Sequence, residues 1–297
     1  MSMGELQRQL RNLMEELGLS QTMVARALGY SSATLSQWLS TKYEGDVAKF
    51  NEAVRGFLQR QKERSKSQKK PFQFVMTSTA NRILEVARTC HLDGEIGVVY
   101  GEAGIGKTVT AKEYAIRNTD VIFIEADLGY TARSLFTDLH HRIGLDGTGT
   151  VHDMFEDVVA KLSGSGRLII VDEAEHLPYR ALELLRRVYD KAGIGILLVG
   201  MPRLVHNLRG KKGEYAQLYS RVGIAANLQK LQEGDAEAIV RTALPQSNGL
   251  WKDFLRESGG NSRRMNLLII RSIRLAEVNN THITPEIIRL AAQMLII

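Results

Sequence analysis

A single cysteine, Cys90, in 297 residues excludes any internal disulfide. The fold must therefore rest on its core, and a reducing cytoplasm is the expected setting. No motif surrounds Cys90, so a thiol packed inside a helix is its expected role. No apolar run approaches bilayer-spanning length, and Met1 to Leu17 intersperses Glu and Arg where a signal peptide would be apolar. Neither a membrane partner nor export is expected. Aromatic residues make up only 6% of the chain, which argues against a base-stacking platform for single strands. Acidic charge is in deficit. Against 33 Asp and Glu stand 39 Lys and Arg, a formal charge of +6 that favours a polyanionic partner. The remaining composition, 44% hydrophobic and 24% charged, is that of a globular protein long enough for two or three domains.

Against these absences stands one dense motif, Gly101-Glu102-Ala103-Gly104-Ile105-Gly106-Lys107-Thr108. It follows the apolar run Ile96 to Tyr100 and opens a helix-competent segment from Val109 to Arg117. A strand, a glycine loop and a helix in that order form a phosphate-binding loop. The glycines let backbone N–H groups converge on phosphate oxygens, and the helix N-terminus adds partial positive charge. Lys107 is expected to reach the β- and γ-phosphates, and the Thr108 hydroxyl to ligate Mg²⁺.

A second motif, Arg167-Leu168-Ile169-Ile170-Val171-Asp172-Glu173, is a short apolar run ending in two carboxylates. It reads as a buried parallel strand whose C-terminal end faces the ligand crevice. Asp172 is expected to hold Mg²⁺ through its water shell, and Glu173 to orient or activate the attacking water. Together the two motifs predict ATP binding and hydrolysis.

Residues 1–58 read as short helices. Leu6, Leu10, Leu13 and Leu17 repeat at helical spacing, and Gly18 ends that helix. Ser20 and Ser31 or Ser32 are natural N-caps, with Gly29 supplying the turn between them. Two short helices joined this way make a helix-turn-helix with Ala25, Leu28, Leu35 and Trp38 as its core. Ser32, Ala33, Thr34 and Gln37 then occupy the face that could enter a major groove. That face has few positive charges, so docking to a protein stays open beside DNA contact. Residues 59–71 carry Arg60, Lys62, Arg64, Lys66, Lys69 and Lys70 against Glu63 alone. They read as a flexible basic linker, either a solvated tether or a phosphate-contacting segment.

From residue 72 to 231, apolar runs alternate with helical patterns, which argues for a parallel sheet flanked by helices. Strands are expected near 96–100, 121–125, 167–173, 195–199 and 222–227. After Gln232 only helical patterns follow, near 234–244, 250–257, 262–279 and 284–296, and Thr284 and Pro285 begin the last of these. Residues 232–297 are expected to form a small helical bundle packed over the nucleotide as a lid. The expected fold class is α/β, with an all-α domain at each end.

A nucleotide-binding core plus a helical lid resembles the AAA+ superfamily. Asp172-Glu173-Ala174-Glu175-His176-Leu177, Lys42-Tyr43-Glu44-Gly45-Asp46 and Leu218-Tyr219-Ser220-Arg221 are similar to segments of the Mu B-type transposition ATPases. The resemblance runs in domain order along nearly the whole chain. It implies an ATPase that oligomerises as filaments on duplex DNA, captures target DNA and delivers it to a transposase. It also implies that Arg221 is an arginine finger reaching a neighbouring subunit's γ-phosphate, with a surface ion pair as its other use. In Gly259-Gly260-Asn261-Ser262-Arg263-Arg264, Arg263 matches the lid arginine that senses the γ-phosphate, with Arg264 as the fallback. Thr131, Arg133 and Arg180 are candidates for DNA contact, whereas Arg186, Arg187 and Lys191 read as a solvated helix face. The chain departs from the pattern at Met201, where a polar residue would ordinarily contact the γ-phosphate and methionine can donate nothing. Slow hydrolysis is the consequence expected.

Two rival functions remain. A helicase loader would favour single strands, and a transcriptional regulator would read a defined palindromic site.

Overall fold

The computed structural model describes residues 3–66, 73–210, 216–247 and 249–295 and divides into two compact units, Met1–Pro71 and Phe72–Ile297.

The first unit is all helical. α1 (Met3–Glu16), α2 (Gln21–Leu28), α3 (Ser32–Leu39) and α4 (Val47–Lys66) enclose a core of Leu6, Leu10, Val24, Ala25, Leu35, Trp38, Phe50 and Val54. Leu28, expected in that core, is only half-buried because it ends α2 beside the turn. The Ser20 hydroxyl accepts from Met23 N at 3.2 Å, Gly29 sits at φ +79°, and the Ser31 hydroxyl accepts from Thr34 N at 3.1 Å. Gln7 and Arg11 of α1 donate to the Trp38 and Leu39 carbonyls, so α1 caps the C-terminal end of α3. Trp38 Nε1 donates to Asn51 Oδ1 at 2.9 Å, and the rings of Tyr30, Trp38 and Tyr43 surround Phe50.

The expected linker is in part helix. α4 runs on through residues 59–66, since its Gln, Lys, Arg and Glu side chains are strong helix formers despite their charge. The remainder, residues 67–71, lies outside the described residues.

The second unit alternates in type. α5 (Ser78–Asp93) leads to β1 (Ile96–Tyr100), α6 (Lys107–Arg117), β2 (Val121–Glu125), α7 (Ala132–Arg142), α8 (Val151–Leu162) and β3 (Leu168–Asp172). A single 3-10 turn (Ala174–His176) precedes α9 (Tyr179–Ala192), β4 (Gly195–Gly200), α10 (Arg203–Arg209), α11 (Ala216–Tyr219) and β5 (Val222–Asn227). The five strands pair in the order β2-β3-β4-β1-β5, every pair parallel. β1, β3 and β4 therefore deliver the glycine loop, Asp172 and Met201 to one edge of the sheet.

Strand periodicity sorts the core. Leu168 and Ile170 join α5 and α6 in one cluster, while Ile169 and Val171 join α7, α8 and α9 in the other. Each such fully buried aliphatic contributes about 1.5–3 kcal/mol. Cys90 lies in the α5 cluster, where burial first and Glu95 second push its thiol up to about 12. It is a packing residue, as expected.

The C-terminal helices α12 (Glu233–Ala243), α13 (Trp251–Ser258), α14 (Ser262–Val278) and α15 (Pro285–Gln293) share their own core of Ile239, Val240, Phe254, Met265, Leu268 and Ile288. Asp235 on α12 accepts from both Ser78 N and Ser78 Oγ at 2.6 Å, which ties this bundle to the first turn of α5.

Candidate nucleotide site

The glycine loop crosses from β1 to α6 with Gly104 at φ +77° and Gly106 at φ +102°, both in the left-handed region. A side chain at Gly104 is excluded twice, because its Cβ would lie 2.4 Å from Asn261 Oδ1. That proximity reveals how the lid is seated. Asn261 Nδ2 donates to Ala103 O at 2.8 Å, Ser262 Oγ to Gly104 O at 3.0 Å, and Arg263 N to Gly104 O at 3.0 Å. The N-terminus of α14 thus clasps the loop through its outward carbonyls.

Lys107 is buried, and its Nζ donates to Gly101 O at 2.7 Å and Glu102 O at 2.8 Å. Burial lowers its pKa, and the charges of Glu175, Asp172, Glu102 and Glu173 act in the opposite direction. Thr108 is half-buried at the first turn of α6, and Val109 beside it is exposed.

Asp172 is almost fully buried at the end of β3. One oxygen, Oδ1, accepts from Glu173 N at 3.0 Å, while Oδ2 has no partner. Burial raises its pKa, helped by Glu125 and Glu173. The Thr108 hydroxyl and the Glu173 N–H favour the charged form, although Thr108 closes no hydrogen bond to Oδ2. An orphaned, buried carboxylate oxygen beside a threonine hydroxyl fits a divalent cation. Thr108 and Asp172 would hold it, and it would neutralise phosphate charge.

Glu173 sits at φ +53°, a left-handed conformation that a non-glycine residue adopts at a cost of about 1–2 kcal/mol. Its side chain is half exposed, and Oε2 lies 3.3 Å from His176 Nε2. Both residues line a cavity of about 700 Å³ with Glu125, Asp127 and Leu128 at the ends of β2 and β3. Glu175 points the other way. It is buried, its Oε2 is unpartnered, and it fills the space left by Gly200, whose Cβ would lie 2.2 Å from that oxygen. Glu175 and His176 stand in the sequence only as members of the family-like segment Asp172 to Leu177, with no role assigned to either. The turn they occupy is too short to show periodicity.

Two families match the chain: an AAA domain over residues 91–208 and a helix-turn-helix domain over residues 5–56. The ATP-dependent target DNA activator B of Escherichia phage Mu is 31% identical over 246 residues, covering 80% of this chain and 78% of that protein. The chain belongs to the target DNA activator B family. The Mu-like prophage FluMu DNA transposition protein B of Haemophilus influenzae is 28% identical, covering 78% of this chain and 83% of that protein. Among solved structures, the ORC2 protein of Aeropyrum pernix shares the fold with a TM-score of 0.60 at 17% identity, over 76% of this chain and 70% of that one. The architecture is therefore an AAA+ core with a helical C-terminal lid and an N-terminal helix-turn-helix. Among the described residues, no helix is long and apolar enough to cross a membrane.

In this family member the other candidate residues lie as follows. Met201 stands at the end of β4, partly exposed beside the loop strand. Arg221 lies between α11 and β5, where its Nε pairs with Asp190 Oδ1 of α9 at 3.1 Å. Arg263 has an exposed side chain, whereas Arg264 is half-buried with Nε unpartnered.

The DNA candidates fall in both units. Thr131 caps α7 through a reciprocal pair with Ser134, and Arg133 donates to Gly149 O at 3.1 Å. Arg180 is exposed at the start of α9. Farther along α9, Arg186 pairs with Glu183 and Asp190, Lys191 pairs with Glu156, and Arg187 stacks over Phe155. Arg187 and Lys191 are exposed, in line with the solvated reading, whereas the Arg186 side chain is only 12% exposed between its two carboxylates. On α3, Ser32 and Gln37 are exposed, and the Thr34 hydroxyl is bound to the Ser31 cap.

Proposed function

We propose that this chain is an ATP-dependent target-DNA activator for a DNA transposase. With ATP it oligomerises on duplex DNA of any sequence, captures that DNA as target and presents it to the transposase. The observation that supports this best is the loop, Asp172 and lid constellation inside a chain whose family likeness spans both the helix-turn-helix and the ATPase. Lys107 and the loop N–H groups bind the phosphates, and Thr108 and, through the ion's water shell, Asp172 would hold Mg²⁺, which would neutralise phosphate charge. Glu173 accepts a proton from the attacking water while the γ-phosphoryl group passes from ADP to that water's oxygen. Arg221, released from Asp190, reaches the neighbouring subunit's γ-phosphate, and Arg263 reports the phosphate to the lid. Because Met201 offers no donor there, the basal rate is slow and rises with DNA and transposase bound.

Negative-stain microscopy with random-sequence duplex, in ATP and in ADP, tests the assembly. Continuous, salt-sensitive filaments with ATP alone are expected. Discrete dimers at one sequence would favour a regulator instead, and preference for single strands would favour a helicase loader.

A further inference from the structure

The catalytic carboxylate is held by its own turn. At φ +53° and ψ +35°, Glu173 directs the chain out of β3 and into the 3-10 turn of residues 174–176. The left-handed Glu173 and the short turn after it bring Glu173 and His176, three residues apart, side by side. His176 N donates to Glu173 O at 3.0 Å, and Nε2 lies 3.3 Å from Oε2. At that separation a small rotation of either side chain closes a hydrogen bond. Below, the turn is fixed by buried Ala174 and Leu177, and Asn207 Nδ2 of α10 donates to Glu175 O at 3.0 Å. Among the described residues, His176 is the partner the structure gives to the Glu173 carboxylate.

We propose that His176 is a positioning residue for Glu173. By donating from Nε2 to Oε2, it fixes the carboxylate rotamer over the cavity and leaves Oε1 to accept from water. An unrestrained glutamate carries about 1.5–2 kcal/mol of rotamer freedom, and a base displaced by 1 Å loses up to about a hundredfold in rate. The proposal rests on reading Glu173 as the residue that activates water.

ATPase assays on the full chain with duplex DNA, together with binding of a fluorescent ATP analogue, test it. His176→Ala should lower kcat roughly tenfold to a hundredfold while leaving KM, nucleotide affinity and Tm near those of the wild type. His176→Gln, whose amide also donates, should recover most of that loss. His176→Asn, with a shorter amide, should not. In a Glu173→Gln background the alanine change should lower the residual rate no further, because the group it positions is gone. Wild-type kcat in His176→Ala with an inactive Glu173→Gln would overturn the positioning role and leave the base intact. Wild-type kcat in Glu173→Gln would overturn both. An equal loss in the two backgrounds, or equal rates for the Gln and Asn variants, would mean that His176 acts elsewhere.

Discussion

Replacing Asn261 with alanine removes two contacts made by one amide. Its Oδ1 caps α14 by accepting from Arg264 N at 3.0 Å, and its Nδ2 donates to Ala103 O at 2.8 Å. Losing an Asn N-cap costs about 1 kcal/mol, and losing the second hydrogen bond about another. A sum of about 2 kcal/mol lowers Tm by roughly 4–8 °C in a unit of this size. Asn261→Ser separates the two, because serine keeps a capping oxygen and lacks the reach to Ala103. It should lose only about 1 kcal/mol, or roughly 2–4 °C. With one of the three lid–loop hydrogen bonds gone, both variants should bind ATP more weakly by a similar factor, and their Tm should rise less on adding ATP. Differential scanning fluorimetry with and without ATP measures every quantity. Equal destabilisation by serine and alanine would refute the division into cap and clasp. Unchanged ATP affinity in both would refute any role of the clasp in binding.

Lys107→Ala should abolish nucleotide-dependent assembly on DNA, read by light scattering with ATP. Arg221→Ala should leave ATP binding largely intact and impair hydrolysis. Its pair with Asp190 is exposed, so Tm should move by less than about 1 kcal/mol equivalent. Asp172→Asn should remove Mg²⁺-dependent nucleotide binding while stabilising the nucleotide-free protein at neutral pH. The sign follows from its raised pKa. Between the ordinary carboxylate value and the raised one, the folded state holds the extra proton, so stability falls as pH rises through that window, and the Asn variant should flatten this slope. Gly200→Ala, by driving a methyl into Glu175, should cost about 1–3 kcal/mol in Tm measurements and weaken ATP binding.

How much of this was legible in advance depends on the range of the forces involved. The glycine loop, the Asp172 strand and both serine caps on the first unit are local patterns, and each stands where its residues predicted. The five parallel strands were equally readable because β-branched runs separate cleanly from helical ones. The basic segment misled through charge alone, since a run of Arg, Lys and Gln is as good a helix as it is a tether, and α4 continues to Lys66. Asn261 gripping Ala103 could not be read, because 158 residues separate them and only the folded lid brings them together. Glu175 and His176 escaped for the opposite reason. They lie within four residues of Asp172, but a left-handed Glu173 and a single 3-10 turn send one inward to Gly200 and the other back over Glu173.

Those placements bear on what the bound nucleotide does. Among the described residues, hydrogen bonds tie the lid to the core at Asn261 to Arg263 on the glycine loop and at Asp235 on the first turn of α5. Asp235 also accepts from Gln232 N at 3.2 Å, so the same carboxylate caps α12 and grips α5. A bundle pinned at both points cannot swing away freely, and any displacement of the loop is passed to α14. On the proposed reading, a γ-phosphate drawing on Arg263 would pull at one anchor only and rock the lid about the other. On the same reading, Met201 would add no donor to speed the phosphate's departure, and Arg221, paired with Asp190, would wait there until a neighbour's site recruits it. On that reading each feature would lengthen the life of the ATP-bound form. A long-lived bound form suits a protein whose nucleotide holds an assembly on DNA better than one whose nucleotide drives repeated movement.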